Sequence, residues 1–342
     1  MSDLKVGLIG CGFFARNHAH AWQAVDGAEL VAVCDRDPDK AETYARDFGV
    51  KRIYNDIDDL CENEELDFVD VVTDPANHRT AVEAIAPHKV PLICQKPMAP
   101  SIQESQSMVE TCASAGVPFM VHENFRWQSP MIALKQASEE IGDLFFGRLS
   151  FRSAEDVFSV QPYLAQDPRF IIYDLGVHLL DIARFFMGEV AELYCQTCRV
   201  HPDIKGEDVA TIMLKMSSGA TCLVELSYAS RLTEELFPQT MCQLEGTRGS
   251  ATLGPHYELT VVKDSQVTKR QVGPQVFEWS TSPMIVIQDS MVAIQQHWVD
   301  CLRAGQEPAT SGQDNLRTLE LVFGSYESVG KSRPYRVGEL LK

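Results

Sequence analysis

No apolar run in this sequence approaches the roughly 20 residues that a membrane-spanning helix needs, and the chain has no internal repeat or low-complexity tract. Positive charge is scarce. Lysine and arginine number 30 against 48 aspartates and glutamates, a formal net charge of −18, which argues against nucleic acid or anionic membranes as partners. The opening "MSDLKVGLIGCG" shows no long apolar signal region, no twin arginine and no small-residue cleavage site, so a cytoplasmic location is expected. Ten cysteines are present, but without a second pair at zinc-site spacing. The CxxC of "YCQTC", Cys195 and Cys198, lies in a segment read as extended, where residues three apart face opposite ways. No metal is expected. Cys11, Cys34, Cys94 and Cys222 fall in strand-like or turn contexts and read as small buried hydrophobes.

What is there is ordinary in bulk and specific in pattern. At 342 residues, with 45% hydrophobic and 23% charged side chains, the chain exceeds the size of one core, and two domains are expected. From residue 4 to about 123, short apolar runs alternate with helical segments: "ELVAVCD" precedes "PDKAETYARDFG", and "DFVDVVTD" precedes "ANHRTAVEAIAPH". That alternation predicts a parallel sheet covered by helices on both faces, a doubly wound Rossmann domain over residues 1–123. The texture then changes. A helix near 129–140, strands near 146–155 and between 190 and 263, and helices near 285–303 and 313–330 predict an α+β domain over residues 124–342. Its sheet is expected to be open and mostly antiparallel.

"GLIGCGFFARNHAHAW" places Gly10, Gly12 and Ala15 in G-x-G-x-x-A spacing between a strand and a helix. Gly10 suits the tight turn, Gly12 lets backbone approach a pyrophosphate, and Ala15 lets the helix pack near the strand. Asp35, at the end of the second strand, is placed to accept both ribose hydroxyls. It would repel a 2′-phosphate, so NAD is expected over NADP, although Arg36 beside it is able to reach a phosphate. The competing reading makes Asp35 a helix cap.

"IIYDLGVHLLDIARFF", residues 171–186, raises a different question. As a helix at about 100° per residue, it puts Asp174, His178 and Asp181 on one face, apart from an apolar stripe of Leu175, Leu179, Ile182 and Phe186. The polar face suits either a solvated surface or the wall of a site.

Several motifs, in order along the chain, resemble the glucose-fructose oxidoreductase / inositol dehydrogenase / rhizopine-catabolism (Gfo/Idh/MocA) family. They are "GLIGCGFFA", "VTDPANH", "CQKPMA", "DLGVHLLD" and "SGQDNLRTLELVFGSYES". The resemblance implies an NAD-dependent oxidoreductase of CH–OH groups whose C-terminal sheet forms an oligomer interface. A homodimer or homotetramer is therefore expected. It carries over Lys96 as the catalytic lysine, with Asp174 and His178 as polar residues at the reacting carbon. Gln95 stands where the family usually has Glu. The implied cofactor contacts are Gly10, Gly12, Phe13, Phe14, Asp35 and Arg36, then Thr73, Pro75 and Asn77, then Gln95 and Lys96. His78 reads as packing or capping the following helix.

Chemically, alcohol oxidation needs a base for the hydroxyl proton, and His178 is suited to it. A Lys96 ammonium can stabilise a developing alkoxide, while Asp174 holds a hydroxyl or orients the imidazole. Asp181 is open between orienting His178 and lying on the helix surface. "VHENFRWQ" offers Glu123, Asn124, Arg126 and Trp127 to a polyhydroxylated ligand, although interdomain packing explains Phe125 and Trp127 equally well. Asp156 and Arg169 are further candidates to line the pocket. The expected substrate is a sugar, sugar acid or cyclic polyol. The alternatives are an NAD-dependent glycoside hydrolase of the same family and a non-enzymatic nucleotide-responsive regulator.

Overall fold

The computed structural model describes residues 2–341, and the chain divides into two compact units. The first holds residues 1–124 together with the later segment 291–317. It is built from β1 (Leu4–Ile9), α1 (Ala15–Ala24), β2 (Ala28–Cys34), α2 (Pro38–Phe48), β3 (Arg52–Tyr54), α3 (Ile57–Asn63), β4 (Phe68–Val71), α4 (Pro75–Ile85), β5 (Leu92–Gln95), α5 (Ile102–Ala115) and β6 (Phe119–His122). The six strands are all parallel, in the order β3-β2-β1-β4-β5-β6. This is the doubly wound Rossmann sheet expected from the alternation.

The register aligns the strand ends. Ile9 pairs with both Cys34 and Val71, Val71 with Cys94, and Gln95 with His122. The glycine turn, Asp35, the Thr73 loop and Lys96 therefore emerge along one edge of the sheet, and the order reverses between β1 and β4, where such sheets bind ligands. Local chemistry sets the helix ends. Asp37 accepts from the backbone N–H of Asp39 and Lys40 to start α2, and Gly49 ends it at φ +70°. The later segment joins this unit at β6, where Val121 N–H donates to Thr310 O and Thr310 Oγ1 donates to Val121 O.

The second unit holds residues 125–290 and 318–342. It opens with α6 (Ser129–Ser138) and β7 (Leu144–Arg152). A short helix α7 (Val157–Val160) and a π-helical turn (Ile172–Gly176) lead into α8 (Val177–Met187). Strands β8 (Val190–Cys198), β9 (Val209–Met216), β10 (Thr221–Ser227), β11 (Met241–Gly246), β12 (Gly249–Leu253), β13 (Glu258–Lys263) and β14 (Gln266–Gln271) follow. Helices α9 (Ile285–Ala304) and α10 (Gly312–Lys331) run through both units, and β15 (Tyr335–Arg336) closes the sheet.

The nine strands lie in the order β14-β13-β12-β11-β7-β10-β9-β8-β15, antiparallel throughout except for the β7–β10 pair. Burial alternates along β9, with Ala210, Ile212, Leu214 and Met216 inside and Thr211, Met213 and Lys215 outside. One face is thus core and the other faces outward. On β8, Cys195 is buried and Cys198 exposed. Among the described residues, no helix is long and apolar enough to cross a membrane.

Candidate active site

Gly10 sits at φ +98°, and a Cβ there would lie 2.5 Å from the carbonyl oxygen of Val72. Only glycine permits both the turn and the approach of the two loops. Gly12 differs, because a Cβ there would meet nothing within 4 Å. The space beside it is open. Tyr44 steadies the turn by donating its hydroxyl to Gly12 O at 2.8 Å.

Helix α1 then starts with no side-chain cap at Phe14 and no acid in its first turn. Its N-terminal N–H groups and positive dipole end are therefore available to an anion, with no carboxylate competing. Phe14 meets His18 edge-on, whereas Phe13 is 70% exposed. Open space at Gly12 beside an uncapped helix start fits the pyrophosphate of a dinucleotide.

Asp35 faces this turn. Its Oδ2 accepts from Cys11 N–H at 2.7 Å and its Oδ1 from Asp37 N–H at 2.9 Å. The cap of α2 is Asp37, not Asp35. Each carboxylate oxygen keeps a further lone pair for a ribose hydroxyl. Arg36 is exposed beside it.

Beyond β4, Thr73 and Asn77 are half-buried, and Pro75 occupies the first turn of α4. His78, fully buried, places Nε2 2.9 Å from Thr73 O and Nδ1 3.1 Å from Met98 O. It ties the Thr73 loop to the turn that follows Lys96, and burial lowers its pKa against those carbonyls.

Lys96 is half-buried, and its backbone N–H donates to Gln95 Oε1 at 2.6 Å. Behind it lies a polar network that motif reading did not single out. Gln95 Nε2 is 2.9 Å from His18 Nε2, His18 Nδ1 is 2.7 Å from Asp70 Oδ2, and Trp22 Nε1 donates to the same oxygen at 2.7 Å. The available signal was Asp70 itself, a carboxylate inside the buried strand "FVDV". A charge there requires partners.

In the second unit, His178 is 4% exposed and stacks on Phe125. The helix expected over 171–186 is not uniform: residues 172–176 form the π-helical turn and the α-helix begins at Val177. Asp174 lies in the wider turn, so the 100° spacing relates His178 to Asp181 but not Asp174 to either. Glu207 holds the start of this turn, accepting from Ile172 N–H at 3.1 Å and from the Tyr326 hydroxyl at 2.8 Å. Burial raises the pKa of Glu207.

Asp181 is not on the helix surface. It is fully buried, accepts Arg126 Nε at 2.6 Å and Arg126 Nη2 as a second bond, and takes a third from Thr318 Oγ1 at 3.3 Å. Arg126, expected to face a substrate, thus has Nε and Nη2 engaged with Asp181. The physical reason is burial: a guanidinium and a carboxylate both removed from water must pair.

Glu123 and Asn124, at the end of β6 in the first unit, are buried, and Trp127 in the second is half-buried. Asp156 caps α7, and the Arg169 guanidinium lies 5.4 Å from the Tyr173 ring centre and 5.5 Å from that of Phe323.

Residues 4–123 match the oxidoreductase family with an NAD-binding Rossmann fold, and residues 134–252 match the GFO/IDH/MocA C-terminal domain. The chain belongs to the GFO/IDH/MocA oxidoreductase family. As a member, it is an NAD-binding oxidoreductase. Among its relatives, the D-apiose dehydrogenase of Rhizobium rhizogenes is 50% identical over 343 residues, covering 100% of this chain and 99% of the relative. The D-apiose dehydrogenase of Paraburkholderia graminis is 48% identical, covering 98% and 90%. An oxidoreductase from Agrobacterium radiobacter, crystallised with NAD⁺, L-tartaric acid and magnesium, superimposes with a TM-score of 0.97 at 50% identity, covering 98% of this chain and 99% of that one.

Proposed function

We propose that this GFO/IDH/MocA member is a sugar dehydrogenase that oxidises a hydroxyl of D-apiose or a closely similar branched aldose with NAD⁺. The observation that carries this reading is the full-length identity, 50% and 48%, to two D-apiose dehydrogenases. The "HENFRWQ" and "QKPMA" segments also resemble that type.

In this reading, the glycine turn and Asp35 would hold NAD⁺, which would supply the hydride acceptor. His178 takes the hydroxyl proton, a role typically worth about 10²–10⁴ in rate. Its ring is held against Phe125 and is therefore pre-aimed, which limits the motion spent on reaching the substrate oxygen. Lys96 donates to that oxygen as negative charge develops, and Asp174 holds a neighbouring hydroxyl. Glu123, Asn124 and Trp127 are the candidate groups for recognising a polyol. The Arg126–Asp181 pair braces the helix that carries His178. Self-association through the outward face of the nine-stranded sheet, where Met213 is 50% exposed, is part of the same reading.

The test is absorbance of reduced nicotinamide, with NAD⁺ and separately NADP⁺, across branched sugars, aldoses, sugar acids and inositols. A rise with NAD⁺ and apiose is expected. A rise only with NADP⁺ overturns the role given to Asp35. Released sugar from a glycoside without accumulated NADH moves the chain to the hydrolase class, and binding of NAD without turnover on any substrate moves it to the regulators. Light scattering reads the oligomer.

A further inference from the structure

Three buried groups from three strands converge on His18, and their hydrogen-bonding capacities leave a single arrangement of protons. Lys96 N–H is only a donor, so Gln95 must present Oε1 to it, as the 2.6 Å contact has it. The Gln95 amide nitrogen then faces His18 Nε2 at 2.9 Å. An amide NH₂ only donates, so His18 Nε2 accepts and carries no proton. The ring proton therefore sits on Nδ1 and is donated to Asp70 Oδ2 at 2.7 Å, beside the bond from Trp22 Nε1. Turning the amide over would set its NH₂ against Lys96 N–H, two donors with no acceptor between them. The backbone of Lys96 thus dictates the tautomer of a histidine 78 positions earlier in the chain.

We propose that Gln95 is a positioning residue for Lys96, locking His18 as the Nδ1–H tautomer and fastening the Lys96 turn to the helix that starts at the glycine turn. His18 lies on that helix, one turn past its start at Ala15, so the chain Lys96–Gln95–His18–Asp70 links the lysine's backbone to the dinucleotide-binding element. The proposal rests on the reading of Lys96 as a catalytic residue.

The groups facing His18 are few. They are Asp70 from β4, Gln95 from β5 and His122 from β6, whose ring centre is 4.2 Å away, with Phe14 and Trp22 on either side in sequence. Gln295 Nε2 reaches only the His18 carbonyl, at 3.5 Å. The nearby Cys94 thiol is pushed well above its usual range by burial and by the Asp70 charge, so it stays protonated. A carboxylate at position 95 would behave differently. It still accepts from Lys96 N–H, but its other oxygen would meet the bare lone pair of His18 Nε2. The site then relieves the repulsion by taking up one proton, making His18 an imidazolium between two carboxylates. Glutamine avoids that repulsion and leaves the Lys96 turn with one arrangement of hydrogen bonds.

The test is long-range ¹H–¹⁵N spectroscopy of histidine-labelled protein, run on wild type, Gln95→Glu and Gln95→Met, alongside pH profiles of kcat. Wild-type His18 is expected to show a protonated Nδ1 and a bare Nε2 at neutral pH, the tautomer its partners dictate. Gln95→Glu is expected to show both nitrogens protonated at the acid end. Its kcat should gain a pH-dependent limb absent from wild type, falling as pH rises and the proton taken up by the variant site is lost. Gln95→Met removes both bonds and is expected to lower kcat about tenfold, with the KM for NAD⁺ changed far less. A protonated Nε2 in wild type at neutral pH overturns the lock. Unchanged kcat and pH profile in both variants overturns the positioning role. Failure of the dehydrogenase reading shows separately, as a wild type without turnover on any sugar, and the spectrum still decides the tautomer.

Discussion

The imidazole of His178 lies face to face on the ring of Phe125, centroids 3.7 Å apart and planes within 5°. Rings prefer offset or edge-on packing when free to choose, so this parallel pair reflects the elements that carry them: Phe125 begins the turn before α6 and His178 sits in the first turn of α8. The stacking fixes the plane in which both imidazole nitrogens lie.

If His178 is the base proposed above, His178→Ala is expected to lower turnover at least tenfold while NAD⁺ still binds. Phe125→Ala keeps the base but frees its ring. A stacked pair is worth about 0.5–1.5 kcal/mol, so a fall in kcat of about 2–10-fold is expected. Steady-state kinetics beside NAD⁺ titration by fluorescence separates the two effects, and near-normal turnover in His178→Ala removes it from the base role.

The two glycines of the turn should fail in different ways. Gly10→Ala places a Cβ 2.5 Å from Val72 O at φ +98°, so strain of about 1–3 kcal/mol plus the clash should lower the melting temperature. Gly12→Ala meets no protein atom and should melt within about 0.5 kcal/mol of wild type. On the proposed placement of the pyrophosphate its methyl would take up cofactor space, so NAD⁺ affinity should fall. Equal NAD⁺ affinity in Gly12→Ala and wild type would contradict the placement of the cofactor.

Breaking the Arg126–Asp181 pair should be costly. Asp181→Ala leaves a buried guanidinium without its carboxylate and is expected to cost about 3–5 kcal/mol in urea unfolding. Replacing both, Arg126→Met with Asp181→Leu, should recover most of that loss, because the penalty comes from a lone buried charge. A double variant no more stable than Asp181→Ala contradicts this account.

Glu207 supplies a pH dependence whose sign follows from burial. Its folded pKa is raised above the unfolded value, so the folded chain holds that proton more tightly. The associated stability is present below the unfolded pKa and is lost as pH rises through the raised folded pKa. Glu207→Gln carries no such charge. Its melting temperature relative to wild type should therefore climb as pH rises through that window, read by thermal melts at a series of pH values. A difference independent of pH contradicts the raised titration.

The sequence by itself determined the parts of this protein that depend on period and spacing. Apolar alternation specified the Rossmann layers. The G-x-G-x-x-A spacing specified a glycine turn between strand and helix, whereas the expected common face for Asp174, His178 and Asp181 holds only for His178 and Asp181, because Asp174 lies in the π-helical turn. These are local rules, written within a dozen residues. Only the tertiary structure decided which buried charges meet. Asp70 finds His18 across 52 positions and Arg126 finds Asp181 across 55, and the segment 291–317 returns to the first unit. The π-helical turn at 172–176 interrupts a helix whose pattern reads as continuous. The physical reason is common to these cases. A buried polar group must be satisfied, its partner is whichever group the packed core brings within hydrogen-bonding distance, and no periodicity along the chain encodes that distance.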